Sequence, residues 1–502
     1  MTSPGNKALR FARYVSWNVL GQLGVGVSSF LFIPYLVRGM GLSTYGLYIL
    51  MQTATGYLLI FCLGAGSATF KYVAQFNADP GAGLKQTLRH GLMMHVIGAL
   101  AGAAVFGLGA QFFIVHLFRV PQSQAAAGVF VLRCAAIAAI FMALIQFAVS
   151  IMQGLRRFDL QNLVAFLQNG LAPVGAAAAI AWGLGLHGAA IWFAAWNAAV
   201  CLLALILAWR ILPERSGRKA GPGFNFKTFA GYGLSLWFGP LAWIVTFQFD
   251  KIFIARAASL SALTLYAVPA GILQRLQVLP AIVGTVLLPM ISELKGPDAP
   301  AALRRMYLKS VRFVLWLLLP VFVLLFALMP QFLTLWLGGE FGDRSVWPAR
   351  WLVIAQVFLM IHSVPNAVVA SRDKPWHLSA VAWAQAIISL LAWKLLIGRY
   401  ELLGVALGSL LAQIIPACFY LAYVHRNILK ISFKEYYQEG LRAPCLSAAI
   451  MLGLVFPFHA SATSWPLFAL FSLGGMAIFY GSTWFLCNPE DRTTVREFME
   501  PA

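Results

Sequence analysis

The chain has 502 residues, 61% of them hydrophobic and only 10% charged, and it carries a formal net charge of +20. With a mean hydropathy of +0.79 it lacks the polar composition of a soluble domain of this length and has that of a chain that spans a bilayer many times. The six cysteines (Cys62, Cys134, Cys201, Cys418, Cys445, Cys487) show no CxxC spacing, so they imply neither a disulfide framework nor a zinc site.

Residues 1–16 are polar and basic, with Lys7, Arg10 and Arg13, and they precede the first apolar stretch, 17–37. That stretch is longer than a secretory h-region, and no small-x-small cleavage site comes before the Gly39–Gly41 loop. It reads as an uncleaved first helix. Asn18 and Gln22 lie one turn apart in it, among Gly21, Gly24 and Gly26. Further spans are predicted at 44–64, 92–117, 129–152, 160–182, 188–209, 230–256, 263–291, 312–336, 350–370, 377–397, 402–424, 443–459 and 465–487. The thirteenth is short and broken by Pro457. The fold class is therefore an all-α polytopic membrane protein of about 14 transmembrane helices.

Along this pattern 26 of the 36 basic residues fall on the side of the N-terminus. Seven fall on the other: Arg38, Arg119, Arg256, Arg344, Arg350, Lys394 and Arg399. The positive-inside rule then predicts both termini in the cytoplasm of a chain seated in the inner membrane. The net charge reads as topology and contact with anionic membrane lipids. With no soluble basic domain, nucleic acid is not an expected partner. Within spans stand three cations, Arg133, Lys251 and Arg275, and one acid, Asp250. His362 lies within the tenth span.

The chain repeats itself. Arg38, Leu42, Ser43, Leu47 and Tyr48 recur as Arg256, Leu260, Ser261, Leu265 and Tyr266, each displaced by 218 positions. A second match, at 216, pairs Gly188 with Gly404 and Asn197 with Gln413. An offset of six spans predicts two six-helix bundles of the same orientation, related by a pseudo-twofold axis along the membrane normal. The expected domains are a bundle at 1–209, a cytoplasmic linker at 210–229, a bundle at 230–424, and two extra helices with a tail at 425–502. The linker holds Pro213, Gly217, Gly221, Pro222 and Gly223 and should be irregular.

Three segments carry a family resemblance: the turn Gly41-Leu42-Ser43-Thr44-Tyr45-Gly46-Leu47-Tyr48, the loop Gly154-Leu155-Arg156-Arg157-Phe158, and Asp250-Lys251-Ile252-Phe253-Ile254-Ala255-Arg256. Together they resemble the polysaccharide-transporter branch of the multidrug/oligosaccharidyl-lipid/polysaccharide flippase superfamily, whose nearest look-alikes are Wzx-type O-antigen and exopolysaccharide repeat-unit flippases. The resemblance implies a flippase that moves a lipid-linked oligosaccharide, usually on an undecaprenyl-type polyprenyl diphosphate, between leaflets by alternating access. A polar head cannot cross hydrocarbon unaided. Such a protein needs a hydrated cleft and cations for the diphosphate.

In that reading Arg275, about 18 Å into its span at 1.5 Å per residue, holds substrate phosphate, with Lys251 and Arg133 as further candidates. The alternatives are a structural ion pair for Arg275 or Lys251 with Asp250, and snorkelling for Lys251 and Arg133. Asn18 and Gln22 are candidates to bond sugar. Asp250 and His362 are candidates to couple transport to H+ or Na+. Trp192, Trp196, Trp237, Trp243 and Trp383 read as packing or belt residues rather than sugar platforms. No P-loop and no HExxH are present, so neither a cofactor nor an enzyme is expected. A multidrug or organic-cation exporter of the same superfamily is the alternative, and it would call for more acids than bases in the cavity. A membrane glycan polymerase or ligase would need a larger outer loop than about 337–349, which holds only Glu340 and Asp343 as acids.

Overall fold

The computed structural model describes residues 21, 24–78, 83–213, 224–277, 280, 287, 290, 291, 293, 294, 296–371 and 376–486. Among the described residues all regular structure is helical. The chain divides into two compact units, Met1–Ala267 and Val268–Ala502, with the boundary inside the helix Leu260–Arg275.

The first unit is organised on the 33-residue helix Gln122–Gly154. Its buried positions are mostly small: Ala135, Ala138, Ala139, Ala143 and Ala148. In lipid, helices gain little from burying apolar surface, so small residues that let backbones approach decide packing. Leu42–Leu58, Ala65–Ala78, Leu84–Leu108 and Gly185–Arg210 all pack on it. Towards one end of this helix Ile145, Phe147 and Ile151 join Val73, Val164, Val200 and Ala204 in a continuous core.

The second span departs from its predicted form. Leu42–Leu58 continues as a tight turn to Cys62, and the chain then breaks at Leu63 and Gly64, with φ of 48° and 75°. A helix absent from the hydropathy reading, Ala65–Ala78, follows. Gly64 is needed on two counts. Its φ is left-handed, and a β-carbon would lie 2.1 Å from the carbonyl oxygen of Gly233. The third span occupies Leu84–Leu108 rather than 92–117. Lys85 and Arg89 stay on its exposed side while Thr87, Gly91, Met94 and His95 are buried, so the helix accommodates charges that hydropathy assigned to a loop.

The second unit is organised on Ala299–Leu337, against which Val346–Ile361, Arg442–Val455 and Trp465–Leu486 pack. Pro330 has no N–H, which leaves the carbonyl of Phe326 without its helical donor. Arg350 supplies one: its Nε lies 2.9 Å from Phe326 O. The guanidinium sits about 5 Å from the rings of Phe326, Trp347 and Phe456. This arginine is thus a packing element. The run Trp376–Tyr423 is two helices, because Glu401 (φ 46°, ψ −122°) reverses the chain. Gly404 faces the Leu396 carbonyl, Trp393 Nε1 donates to Val405 O, and Gln385 bonds Gln413, as an antiparallel hairpin requires.

Eleven described helices are long and apolar enough to span a bilayer. Splitting the one at Glu401 and adding the shorter Gly24–Met40 and Leu260–Arg275 gives about fourteen. Most of the expected eighth span beyond Gln277 lies outside the described residues, as do residues 214–223 of the expected 210–229 linker, whose end from Phe226 is helical.

The repeat positions behave alike. Helices begin at Leu42 and at Leu260, Tyr48 and Tyr266 are both buried, and Arg38 and Arg256 are both exposed. The two turns also touch reciprocally. A β-carbon on Gly46 would meet Leu260 O at 2.3 Å, and Thr264 Oγ1 donates to Leu42 O at 2.7 Å. Positions 46 and 264, and 42 and 260, are equivalent under the 218 offset, so each copy's first turn contacts the other's at equivalent positions. The second match is a shared bond. Gln168 Nε2 donates to Asn197 Oδ1 at 3.1 Å, and Gln385 Nε2 donates to Gln413 Oε1 at 3.0 Å.

Candidate substrate-binding site

The seventh span is where charge enters the first unit's interior. The helix Phe226–Gln248 is capped by the Asn225 side chain, which accepts from Thr228 N at 3.0 Å. It is interrupted at Phe249 and resumes as Asp250–Ala257. An interruption frees carbonyls that hydrocarbon cannot hydrate. Lys251 Nζ donates to Phe247 O at 3.0 Å, and Tyr57 Oη from the second span donates to Gln248 O. Asp250 Oδ1 accepts from Lys251 N at 2.8 Å and from Lys251 Nζ at 3.2 Å. Asp250 and Lys251 are 3% and 7% exposed. The adjacent acid and base therefore seal a break and neutralise each other.

The other candidates stand apart from this pair. Arg133 lies on Gln122–Gly154 between buried Leu132 and Cys134, with its own side chain exposed and without an ion pair among the described residues. Arg275 is the last residue of Leu260–Arg275, and its side chain is exposed. His362 separates Val346–Ile361 from Ser363–Ala370 and is 3% exposed. Its ring meets that of Tyr420 edge-on at 5.9 Å. His362 Nε2 and Tyr420 Oη are both buried without a hydrogen-bond partner among the described residues. Asn18 and Gln22 lie outside the described residues.

One cation was not singled out from the sequence. Lys71, on Ala65–Ala78, holds its Nζ 4.4 Å from the ring centroid of Tyr72 and 3.9 Å from that of Tyr232. Hydropathy placed it in a loop. The signal that was available is the Lys-Tyr pair on a short amphipathic segment, but Tyr232 lies on another span.

The fold defines a class: a polytopic helical membrane protein of about fourteen spans. The chain is similar to the lipid II flippase MurJ in an inward closed conformation, with a TM-score of 0.67 and 15% identity over 93% of this chain and 99% of that one. It is also similar to an inward-facing multidrug resistance MATE family transporter, with a TM-score of 0.60 and 15% identity over 83% and 95% of the two chains. Among curated proteins it is 20% identical over 410 residues to a "Putative O-antigen transporter" of Shigella flexneri, covering 80% of this chain and 94% of that one. The profile of the family described as "Polysaccharide biosynthesis protein" matches residues 11–295, and the chain belongs to that family.

Proposed function

We propose that this protein is a flippase that carries a lipid-linked oligosaccharide, of the undecaprenyl diphosphate type, across the inner membrane by alternating access, with both termini in the cytoplasm. The observation that carries this reading over an organic-cation exporter is the state of Asp250. An exporter of cations needs a carboxylate that can exchange its counter-ion. The acid of the seventh span already holds Lys251 at 3.2 Å in a buried pair. Arg133 and Arg275 are exposed residues, and a guanidinium has the planar fork geometry suited to phosphate. Asn18 and Gln22 are proposed to bond the sugar. Lys251 serves the substrate less directly, by keeping Asp250 neutralised. For coupling to H+ or Na+, His362 is the better candidate, since its Nε2 is buried without a hydrogen-bond partner among the described residues while Asp250 is committed.

The fold likeness to a MATE transporter fits the exporter reading as well, so the test separates the two. The protein is expressed in hosts lacking their own oligosaccharide flippase, and surface polysaccharide is assayed beside efflux of a fluorescent organic cation. Restored display without efflux is the expected result. Efflux without display in any host would replace the flippase reading by the exporter one.

A further inference from the structure

Lys71 sits in a surrounding that asks for an anion. Its nearest partners are π faces, which attract an ammonium but do not neutralise it. Lys71 makes no ion pair among the described residues. The two acids described in the first unit are both committed elsewhere, Asp159 to Arg157 at 2.8 Å and Asp250 to Lys251 at 3.2 Å. The phenol groups beside the ammonium are unengaged too. Neither Tyr72 nor Tyr232 has a side-chain hydrogen bond among the described residues, although their rings lie 5.7 Å apart and Tyr72 is only 6% exposed. One ammonium and two hydroxyls are thus gathered without an acceptor. Phe76, Phe224 and Phe229 pack against Tyr72 and hold its ring in place, and His90 borders the same aromatic group.

The depth of this group identifies what could reach it. Lys71 lies seven residues before the end of Ala65–Ala78, and Tyr232 six residues after the start of Phe226–Gln248. At 1.5 Å per residue both are about 10 Å in from their helix ends. Tyrosine at that depth belongs to the interface between headgroups and hydrocarbon. Exposed Lys85, Arg89 and Lys227 flank the same helix ends, the side that the basic residues assign to the cytoplasm.

We propose that Lys71, Tyr72 and Tyr232 form a binding station for a lipid-borne phosphate at the cytoplasmic leaflet, where the diphosphate of the substrate docks before translocation. The identity of the lipid as substrate rests on the flippase reading, whereas the phosphate chemistry does not. The ammonium supplies charge and the hydroxyls supply two neutral donors. The aromatic wall of Phe76, Phe224 and Phe229 borders the group on the side of Tyr72.

The test uses purified full-length protein in nanodiscs of neutral lipid, with farnesyl diphosphate as a short prenyl diphosphate probe. Wild type should bind it saturably. Lys71→Met, which keeps the stem and removes the charge, should weaken binding about tenfold, the worth of one charge-assisted contact. Lys71→Arg should stay within about threefold of wild type, since a cation remains. The Tyr72→Phe/Tyr232→Phe pair keeps the rings and should lose several-fold. Competition by inorganic pyrophosphate would show that the phosphate is what is recognised. Stronger competition by phosphatidylglycerol than by pyrophosphate would assign the station to a resident phospholipid and overturn its role in docking substrate. Equal binding by wild type and Lys71→Met, with matched melting temperatures, would overturn the station itself. If instead Lys71→Met loses the probe but wild type fails to restore polysaccharide display in any host, the station stands and the flippase reading falls.

Discussion

Position for position, the second and eighth spans share a scaffold and differ in chemistry. Under the 218 offset Tyr57 corresponds to Arg275, and Phe32 and Ile33 in the first span correspond to Asp250 and Lys251 in the seventh. The scaffold is common: helices start at Leu42 and Leu260, and their first turns contact each other reciprocally. Yet the first copy carries an apolar pair and a phenol where the second carries an ion pair and a guanidinium. Tyr57 is spent on the backbone of the seventh span through Gln248 O, with its ring edge-on to Phe249. Backbone geometry is held by small residues and backbone contacts, so it survives divergence. Charges answer to a task, and at these three positions only the second copy carries them.

The sharpest way to break this comparison is to make the second copy resemble the first. Removing one partner of a buried ion pair leaves the other uncompensated, at a cost of about 3–5 kcal/mol. Asp250→Asn and Lys251→Met should each lower the melting temperature in detergent strongly. The Asp250→Asn/Lys251→Met double variant should recover most of the loss, because no lone charge remains. A double variant less stable than either single one would refute the pairing.

Next in size is the reciprocal turn. Gly46→Ala sets a β-carbon into Leu260 O and should cost about 1–3 kcal/mol by overpacking. Gly56→Ala, ten positions on in the same helix, meets nothing within 4 Å and should leave the melting temperature unchanged. Equal effects at the two glycines would remove the argument for a close crossing.

The amide bridges should give smaller, matched effects. Gln168→Leu and Gln385→Leu each delete one interhelical hydrogen bond, worth about 0.6 kcal/mol on average within membranes. Similar losses in the two would sharpen the correspondence between copies, and a large loss in only one would mark a specialised site there.

The spans themselves were legible because apolar runs of bilayer length leave few alternatives, and the hairpin at Glu401 falls between two of them as expected. The turn repeat was legible because it keeps polar landmarks, Arg38 and Arg256, at one spacing. Hydropathy missed Ala65–Ala78 and misplaced the third span, since it cannot tell a charged helix turn from a loop when Lys85 and Arg89 point outward. Asp250 and Lys251 could be paired from sequence because they are neighbours. The Lys71 station could not, because Tyr232 stands 161 positions away, on a span that only folding brings near. His362 could be seen as an intramembrane titratable group, but its facing Tyr420 could not.

The central claim, that the second copy's charge handles an anionic lipid-linked substrate, is tested most directly at Arg275. Surface polysaccharide is measured in a flippase-deleted host carrying wild type, Arg275→Lys or Arg275→Ala, with membrane levels and melting temperatures matched. The account predicts near loss of display for Arg275→Ala and partial display for Arg275→Lys, which keeps the charge without the bidentate fork. Full display by a well-expressed Arg275→Ala protein would contradict it.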